Sequence, residues 1–340
     1  MSTFLDTQES EGADLTLVQA SRNRRRSPLR LIGLDRLSGV YALGLVIALF
    51  AVWVPHTFLT ATTLRSVSGS SAVTSIAALA LIVPLACGLF DLSVAGTLGL
   101  GAVLVLKLQI EGVSIAVSIL ASLLAGLVIG AVNGFLVVRV GVSSFIATLG
   151  MSSVVAALTF WITHGFQLVA DLSNPFVVFG QSAFAGLPTA VWIACGIAAV
   201  LLYVTEGTTL GRYLYAVGGN AEAARLVGVR VDRLRFGSLV CSGLLAAIAG
   251  VVLSAQLGSS SADIGPPYLL PAFSAVLLGA TQIKTNGRVN AVGTLVAVTL
   301  LATGIYGLQL AGAPSFIANL FNGLALIVAV SLSIRAKRTT

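Results

Sequence analysis

The chain has 340 residues, of which 57% are hydrophobic and 9% charged, with a mean hydropathy of +1.01. Soluble globular proteins carry about 25% charged residues, so a water-soluble globule is excluded, and this much apolar surface needs lipid as its solvent. The formal net charge of +7 does not signal nucleic acid, because the basic residues sit in short segments beside apolar runs and leave no basic groove.

The first 20 residues are polar and acidic, and a basic cluster from Arg22 to Arg26 precedes the first apolar run. That run has no plausible small-residue cleavage site after it and reads as a retained span, not a secretory leader. Residues 1–36 are expected to be a disordered, basic cytoplasmic segment. Residues 37–334 are expected to form the membrane domain and 335–340 a short cytoplasmic tail. A membrane helix needs about 20 apolar residues. Candidate spans follow at 38–54, 71–89, 92–107, 114–138, 144–163, 189–204, 237–256, 270–283, 290–308 and 315–333. Pro84 and Pro271 interrupt two of them, which is tolerated where protein or water meets the backbone. The expected fold is therefore an all-α, polytopic transmembrane bundle of about ten spans.

Charge orients the bundle. With the N-terminus inside, every one of the 19 Lys and Arg residues except Arg65 and Lys107 falls on the inner side. This is the positive-inside pattern, and it places both termini in the cytoplasm. Gly141-Val-Ser-Ser-Phe-Ile-Ala-Thr-Leu149 recurs as Gly312-Ala-Pro-Ser-Phe-Ile-Ala-Asn-Leu320, with six identities in nine positions. Five candidate spans separate the copies, so they enter the membrane from opposite sides. That is the signature of an inverted internal repeat, in which one element rocks against another around a central path. Small residues such as Gly126, Gly130, Gly243 and Gly250 recur on helix faces and allow close backbone approach in lipid.

The longest inner loop, about 206–236, holds Gly211-Arg-Tyr-Leu-Tyr-Ala-Val-Gly-Gly-Asn220-Ala-Glu-Ala-Ala-Arg225-Leu-Val-Gly228. Asn220 is a good N-cap, Ala221 to Leu226 favour helix, and Gly228 can close it in the left-handed region. Glu222 and Arg225 stand at i,i+3 and are placed to pair. A helix of two turns is marginal alone in water. It is either packed on its own bundle or inserted into a groove on another protein.

This segment resembles the cytoplasmic coupling loop of ribose-type (monosaccharide) permeases, the membrane subunits of bacterial ABC importers. Three more stretches are similar to that family in the same order: Gly88-Leu-Phe-Asp91-Leu-Ser-Val94, Asn133-Gly-Phe through Gly150-Met151, and Ser242-Gly-Leu-Leu-Ala-Ala-Ile-Ala-Gly250. The likeness runs over about residues 40 to 335. It departs at Ala95, where the family commonly has Gly, at Leu89-Phe90, and in the less Gly-rich turn from Gly279 to Arg288. The resemblance implies that Gly211, Arg212, Gly218, Gly219, Asn220, Glu222, Ala223, Ala224, Arg225 and Gly228 couple the bundle to a separate ATPase subunit, which holds ATP and Mg. It also implies an extracellular or periplasmic sugar-binding protein and a second permease copy or paralogue as partners, in the inner membrane. Nucleic acid is not an expected partner.

This chain has no Gly-x-x-x-x-Gly-Lys-Ser/Thr phosphate loop, since Ile283 and not Gly precedes Lys284-Thr285. No cofactor, metal constellation or catalytic residue is expected: His56 and His164 stand far apart, and Cys87, Cys195 and Cys241 lie singly in apolar runs. Asp91 is the one acid inside the spans. It is either a functional carboxylate or, with Ser93, a cap for the helix that follows. A neutral polyol needs amides, hydroxyls and aromatic faces. Asn133, Thr148, Gln256, Asn319 and Asn322, with Phe145 and Phe316 from the two repeat copies, complete the candidate pathway, although each is alternatively helix–helix glue. The expected function is sugar or polyol import as an ABC permease subunit, not an enzyme. The alternatives are a branched-chain amino acid permease, an ion-coupled carrier using Asp91, and a non-transporting scaffold.

Overall fold

The computed structural model describes residues 38–171, 173–282 and 288–338. The N-terminal segment 1–36 and the turn residue Lys284 lie outside the described residues, as do the last two of the tail.

Each of the ten apolar runs is a helix. In chain order the helices are α1 (Ser38–Trp53), α2 (Pro55–Phe58), α3 (Ala61–Ala86), α4 (Val94–Ile110), α5 (Ile115–Phe135), α6 (Ser144–Thr163), α7 (Pro175–Gln181) and α8 (Thr189–Leu202). There follow α9 (Thr209–Gly219), α10 (Ala221–Leu226), α11 (Val231–Leu257), α12 (Leu269–Gln282), α13 (Ala291–Leu310) and α14 (Phe316–Arg338). Single π-helical turns, Leu136–Val140 and Tyr203–Gly207, extend α5 and α8. With those turns included, α3, α5, α6, α8, α11 and α13 are long and apolar enough to cross a membrane, while Gly39–Trp53, Val94–Ile110, Pro266–Thr281 and Phe316–Ser331 are shorter apolar helices. The protein is a multi-pass helical membrane protein.

Three boundaries differ from the sequence expectation by five residues or more: the start of α3, the end of α14, and the start of α11, which lies at Val231 and not at 237. Helix α3 begins at Ala61, ten residues before the expected start, because Thr60 caps it by accepting the Thr63 amide at 3.1 Å. Its first turns are rich in Ser and Thr, whose hydroxyls bond back to the helix: Ser68 donates to Arg65 O, Ser70 to Val67 O and Ser71 to Ser68 O. Helix α14 continues to Arg338, so most of the expected tail is helical.

Helix α3 is the axis of the bundle. Ile76 through Ile82 are fully buried, the pattern of a helix apolar on every side and enclosed by protein. The outer helices keep one apolar face open: on α5, Leu120, Leu124, Val128, Val132 and Phe135 are all exposed, at spacings that put them on a single stripe. Glycines set the closest crossings. Added Cβ atoms at Gly126 and Gly243 would meet each other's carbonyls across the α5–α11 contact, and one at Gly250 would meet Leu98 O of α4. These are the close backbone approaches that small residues permit.

The packing is reciprocal between the two halves. Helix α3 of the first half packs on α12 and α13 of the second, while α11 of the second packs on α4 and α5 of the first. Helices α3 and α11 also pack on each other. Within each half, α6 packs on α4 and α14 on α12. The repeated nine-residue segment has matching local structure in both places. Gly141 and Gly312 take φ of 82° and 87°, and helices α6 and α14 start within four residues of them.

Two small antiparallel pairs lie in the connections: β1 (Leu168–Val169) with β4 (Ser259–Ser260), and β2 (Ala183–Phe184) with β3 (Leu187–Pro188). Helix α7 packs against α11 in the same region, with Phe176 and Val177 buried beside Val105, Leu106 and Ala255. Arg65 Nε donates to Gly186 O at 3.0 Å and ties the β2–β3 turn to α3.

Candidate coupling and translocation sites

The segment 209–228 forms two helices, where one was expected. Asn220 caps α10 by accepting the Ala223 amide at 2.9 Å, and Gly228 closes it with φ of 86°. The expected Glu222–Arg225 pair does not form. Arg225 instead pairs with Asp232 at 2.8 Å, across the link to α11. Helix α9 is the missed element. Its glycines suggested a loop, but they mark places where backbones meet. Gly211, Leu214 and Val217 are buried on one face, while Arg212 and Tyr213 are exposed. A Cβ on Gly211 would run into the Thr205 backbone. A Cβ on Gly218 would run into Ala86 O and stand 3.2 Å from Gly88 N. So α9 sits directly on the junction where α3 ends. Its other anchor is the start of α13: Tyr215 Oη donates to Val289 O at 2.8 Å, and the Arg288 guanidinium lies 5.4 Å from the Tyr215 ring centre. Ala224 is buried, but Leu226 and Val227 are 89% and 79% exposed.

The α3–α4 junction carries Asp91. Gly88 turns the chain with φ of 74°, and the stretch to Leu92 is not helical. Its backbone amides are satisfied from α6: Ser144 Oγ accepts from Phe90 N at 3.1 Å and Thr148 Oγ1 from Leu92 N at 3.0 Å. Asp91 is 1% exposed. Its Oδ1 accepts from the Ser93 amide at 3.0 Å and the Ser93 hydroxyl at 2.6 Å, and Asn133 Nδ2 of α5 donates to Ser93 Oγ at 2.8 Å. The structure thus brings four expected residues, Asp91, Ser93, Asn133 and Thr148, into one region. Among the described residues, Asp91 Oδ2, Asn133 Oδ1 and Ser242 Oγ are buried without a hydrogen-bond partner. Ser93 is the N-cap residue of α4 but makes no capping bond of its own. The carboxylate therefore fixes Ser93 at the entry to α4 and does not cap the helix itself.

The other expected pathway residues lie elsewhere. Gln256 is near the far end of α11 and its Nε2 donates to Gly69 O at 3.4 Å. Phe145 and Phe316 are 53% and 63% exposed, and Asn319 is exposed. Both aromatics stand at the starts of their helices on the outside of this chain.

A cavity of about 420 Å³ with a mixed polar and apolar lining holds one further expected pathway residue, Asn322, and was otherwise not anticipated. It is lined by Ser66, Ser70, Ser71 and Thr74 of α3, Tyr306 and Gln309 of α13, and Asn322 of α14, among others. No Lys, Arg, Asp or Glu lines it. The signal was present as a Ser/Thr series at helical spacing, 66, 70 and 74, of which Ser66 and Ser70 precede the expected span 71–89. Among the described residues no group of three or more His, Cys, Asp or Glu is placed to hold a metal ion. Cys87, Cys195 and Cys241 are free thiols.

Residues 63–330 match the family model described as branched-chain amino acid transport system / permease component. The chain is 38% identical over 247 residues to the ribose import permease protein RbsC of Bacillus subtilis (strain 168), covering 72% of this chain and 76% of that one. It is 35% identical over 296 residues to the ribose import permease protein RbsC of Escherichia coli (strain K12), covering 85% and 90%. It is 32% identical over 293 residues to the L-arabinose transport system permease protein AraH of the same organism, covering 85% and 88%. The chain belongs to this family of ABC importer permeases and is a transport component of the ribose-type group.

Proposed function

We propose that this chain is the membrane-spanning subunit of a bacterial ABC importer that moves a monosaccharide or related polyol into the cell. In this reading ten spans cross the inner membrane and both termini are cytoplasmic. A periplasmic or extracellular binding protein delivers the sugar. A separate ATPase, holding ATP and Mg, presses on α9 and α10, and a second copy or paralogue of the permease completes the pathway. This chain holds no cofactor and catalyses no reaction.

The observation that carries the reading is the seating of the 209–228 segment. One face of α9 rests on the α3–α4 junction and on the start of α13, while the tip of α10 leaves Leu226 and Val227 open. A force applied at that tip reaches both halves of the bundle through short, stiff contacts. The two states of an alternating-access cycle then differ in how the motor engages this segment, which is the differential contact such a mechanism requires. The lining of the 420 Å³ cavity, with hydroxyls and amides set among apolar groups and no charge, favours a neutral solute that carries hydroxyls, because such side chains donate to and accept from hydroxyl groups. It lies toward the outer ends of α3 and α13 in this orientation, where a solute from outside arrives.

A second reading has its own support. The family model is described by branched-chain amino acid transport. A zwitterion needs charged or backbone partners, and the cavity lining supplies no charge. The test is reconstitution with the cognate ATPase and binding protein, followed by uptake of labelled ribose, arabinose and leucine. ATP-dependent entry of a sugar supports the proposal. Leucine entry supports the second reading. Entry driven by a pH gradient in the chain alone points to an ion-coupled carrier.

A further inference from the structure

A second cavity, of about 870 Å³, lies where α5 ends and α11 begins. Arg139, Arg230 and Arg233 line it, and none of them has an ion-pair partner among the described residues. A fourth arginine on its wall, Arg225, is neutralised by Asp232, which is also the one acid lining the cavity. Three uncompensated positive charges therefore face one space. The first turn of α11 borders the same space, and its N-cap residue Arg230 makes no side-chain capping bond. The positive end of a 27-residue helix adds to the field there.

The floor of the cavity is apolar. Phe135, Val138 and Phe236 line it, and Phe236 packs so closely on Gly134 that a Cβ there would stand 2.7 Å from its ring. Phe135 is also the last member of the exposed stripe Leu120, Leu124, Val128, Val132 on α5. An apolar lane about 20 Å long, taking 1.5 Å per residue, thus runs along the helix and ends at a basic pocket. A soluble anion would use the arginines but not the lane. An acidic protein segment would not extend up a lipid-facing helix.

We propose that this pocket binds the headgroup phosphate of an anionic phospholipid of the inner leaflet, with an acyl chain lying along the α5 stripe. The chemistry is that of guanidinium groups on a phosphodiester at the membrane boundary. The site sits beside Arg225 and Asp232, so a bound lipid braces the link between α10 and α11. The leaflet assignment rests on the orientation proposed above, but the binding itself does not depend on the transported solute.

The test uses the full chain in nanodiscs of phosphatidylcholine, with and without phosphatidylglycerol, and counts retained lipid by native mass spectrometry. One phosphatidylglycerol per chain is expected to be retained in preference to phosphatidylcholine. Arg139→Gln, Arg230→Gln and Arg233→Gln should each weaken retention roughly fivefold, and the triple variant on the order of a hundredfold, if each cation near the surface contributes its usual share. The corresponding Lys variants should retain the lipid to within a few-fold. The single variants read the effect even if the triple variant does not fold. Equal retention of phosphatidylcholine, unchanged retention in all the Gln variants, or displacement of the lipid by millimolar inorganic phosphate would overturn the proposal. The last result would identify a soluble-anion site. Failure here leaves the transport reading untouched, because uptake is measured separately.

Discussion

Gly218→Ala is the sharpest test of how force leaves the coupling segment. The added methyl has nowhere to go: it meets the carbonyl of Ala86 and lies 3.2 Å from the amide nitrogen of Gly88. Both obstacles are backbone, so neither can swing aside as a side chain would. Either α9 lifts from the α3–α4 junction or the junction itself moves. Forcing a methyl into a filled contact typically costs about 1–3 kcal/mol, which would raise the undocked fraction of α9 by roughly 5- to 150-fold. The neighbouring Gly219 supplies the control, because an added Cβ there meets nothing within 4 Å. Gly219→Ala should be neutral or slightly stabilising, since alanine is the better helix former. The assay pairs two readouts. Trypsin cleavage at Arg212 and Arg225 reports undocking, and ATP-driven sugar uptake in proteoliposomes reports coupling. Gly218→Ala should be cut faster and transport more slowly, while Gly219→Ala should match the unaltered protein in both. Equal behaviour of the two variants would refute the claim that α9 transmits force through this contact.

Other predictions follow from the same geometry. Asn220→Ala removes the cap of α10 and should destabilise that helix by about 1 kcal/mol, seen as faster hydrogen exchange at the Ala223 amide. Asp91→Ala strips Ser93 of its acceptor in a buried site and should cost about 1–3 kcal/mol more than Asp91→Asn, which keeps an oxygen there; thermal melting in detergent compares the two. Equal melting would place the carboxylate outside the structural network. Ser70→Val together with Gln309→Leu should leave folding intact but weaken uptake of sugar by replacing polar lining of the outer cavity with apolar groups. Unchanged uptake would remove that cavity from the pathway.

Much of the architecture was visible in the residues because a membrane imposes a simple rule on the chain. Ten apolar runs became ten helices, and the boundaries of α5, α6 and α12 fall close to those expected. Capping chemistry was equally readable at Asn220 and Gly228, where local preference and tertiary structure agree. What failed was the reading of polar and small residues. The Ser/Thr-rich turns of α3 look like a loop to a hydropathy argument, yet their hydroxyls are satisfied within the helix. Gly211 and Gly218 look like loop punctuation, yet they are contact points that only the partner backbone explains. Arg225 had two acids within reach, and spacing favoured Glu222. The structure chose Asp232 because the turn at Gly228 folds the start of α11 back alongside α10. Asp91, Ser93, Asn133 and Thr148 were individually legible, but their convergence was not, since it depends on how α4, α5 and α6 meet.

The exchange of helices between halves bears on how the protein is made. Helix α3 finds its neighbours α12 and α13 only after some two hundred further residues have been synthesised, and α11 arrives to fill the place beside α4 and α5. Neither half possesses a complete core, so a nascent chain leaving the translocon must hold its earliest crossings in an open, unsettled arrangement until the last ones emerge. Biogenesis is therefore a single late event, and a truncation near the C-terminus should undo the beginning of the molecule as surely as its end.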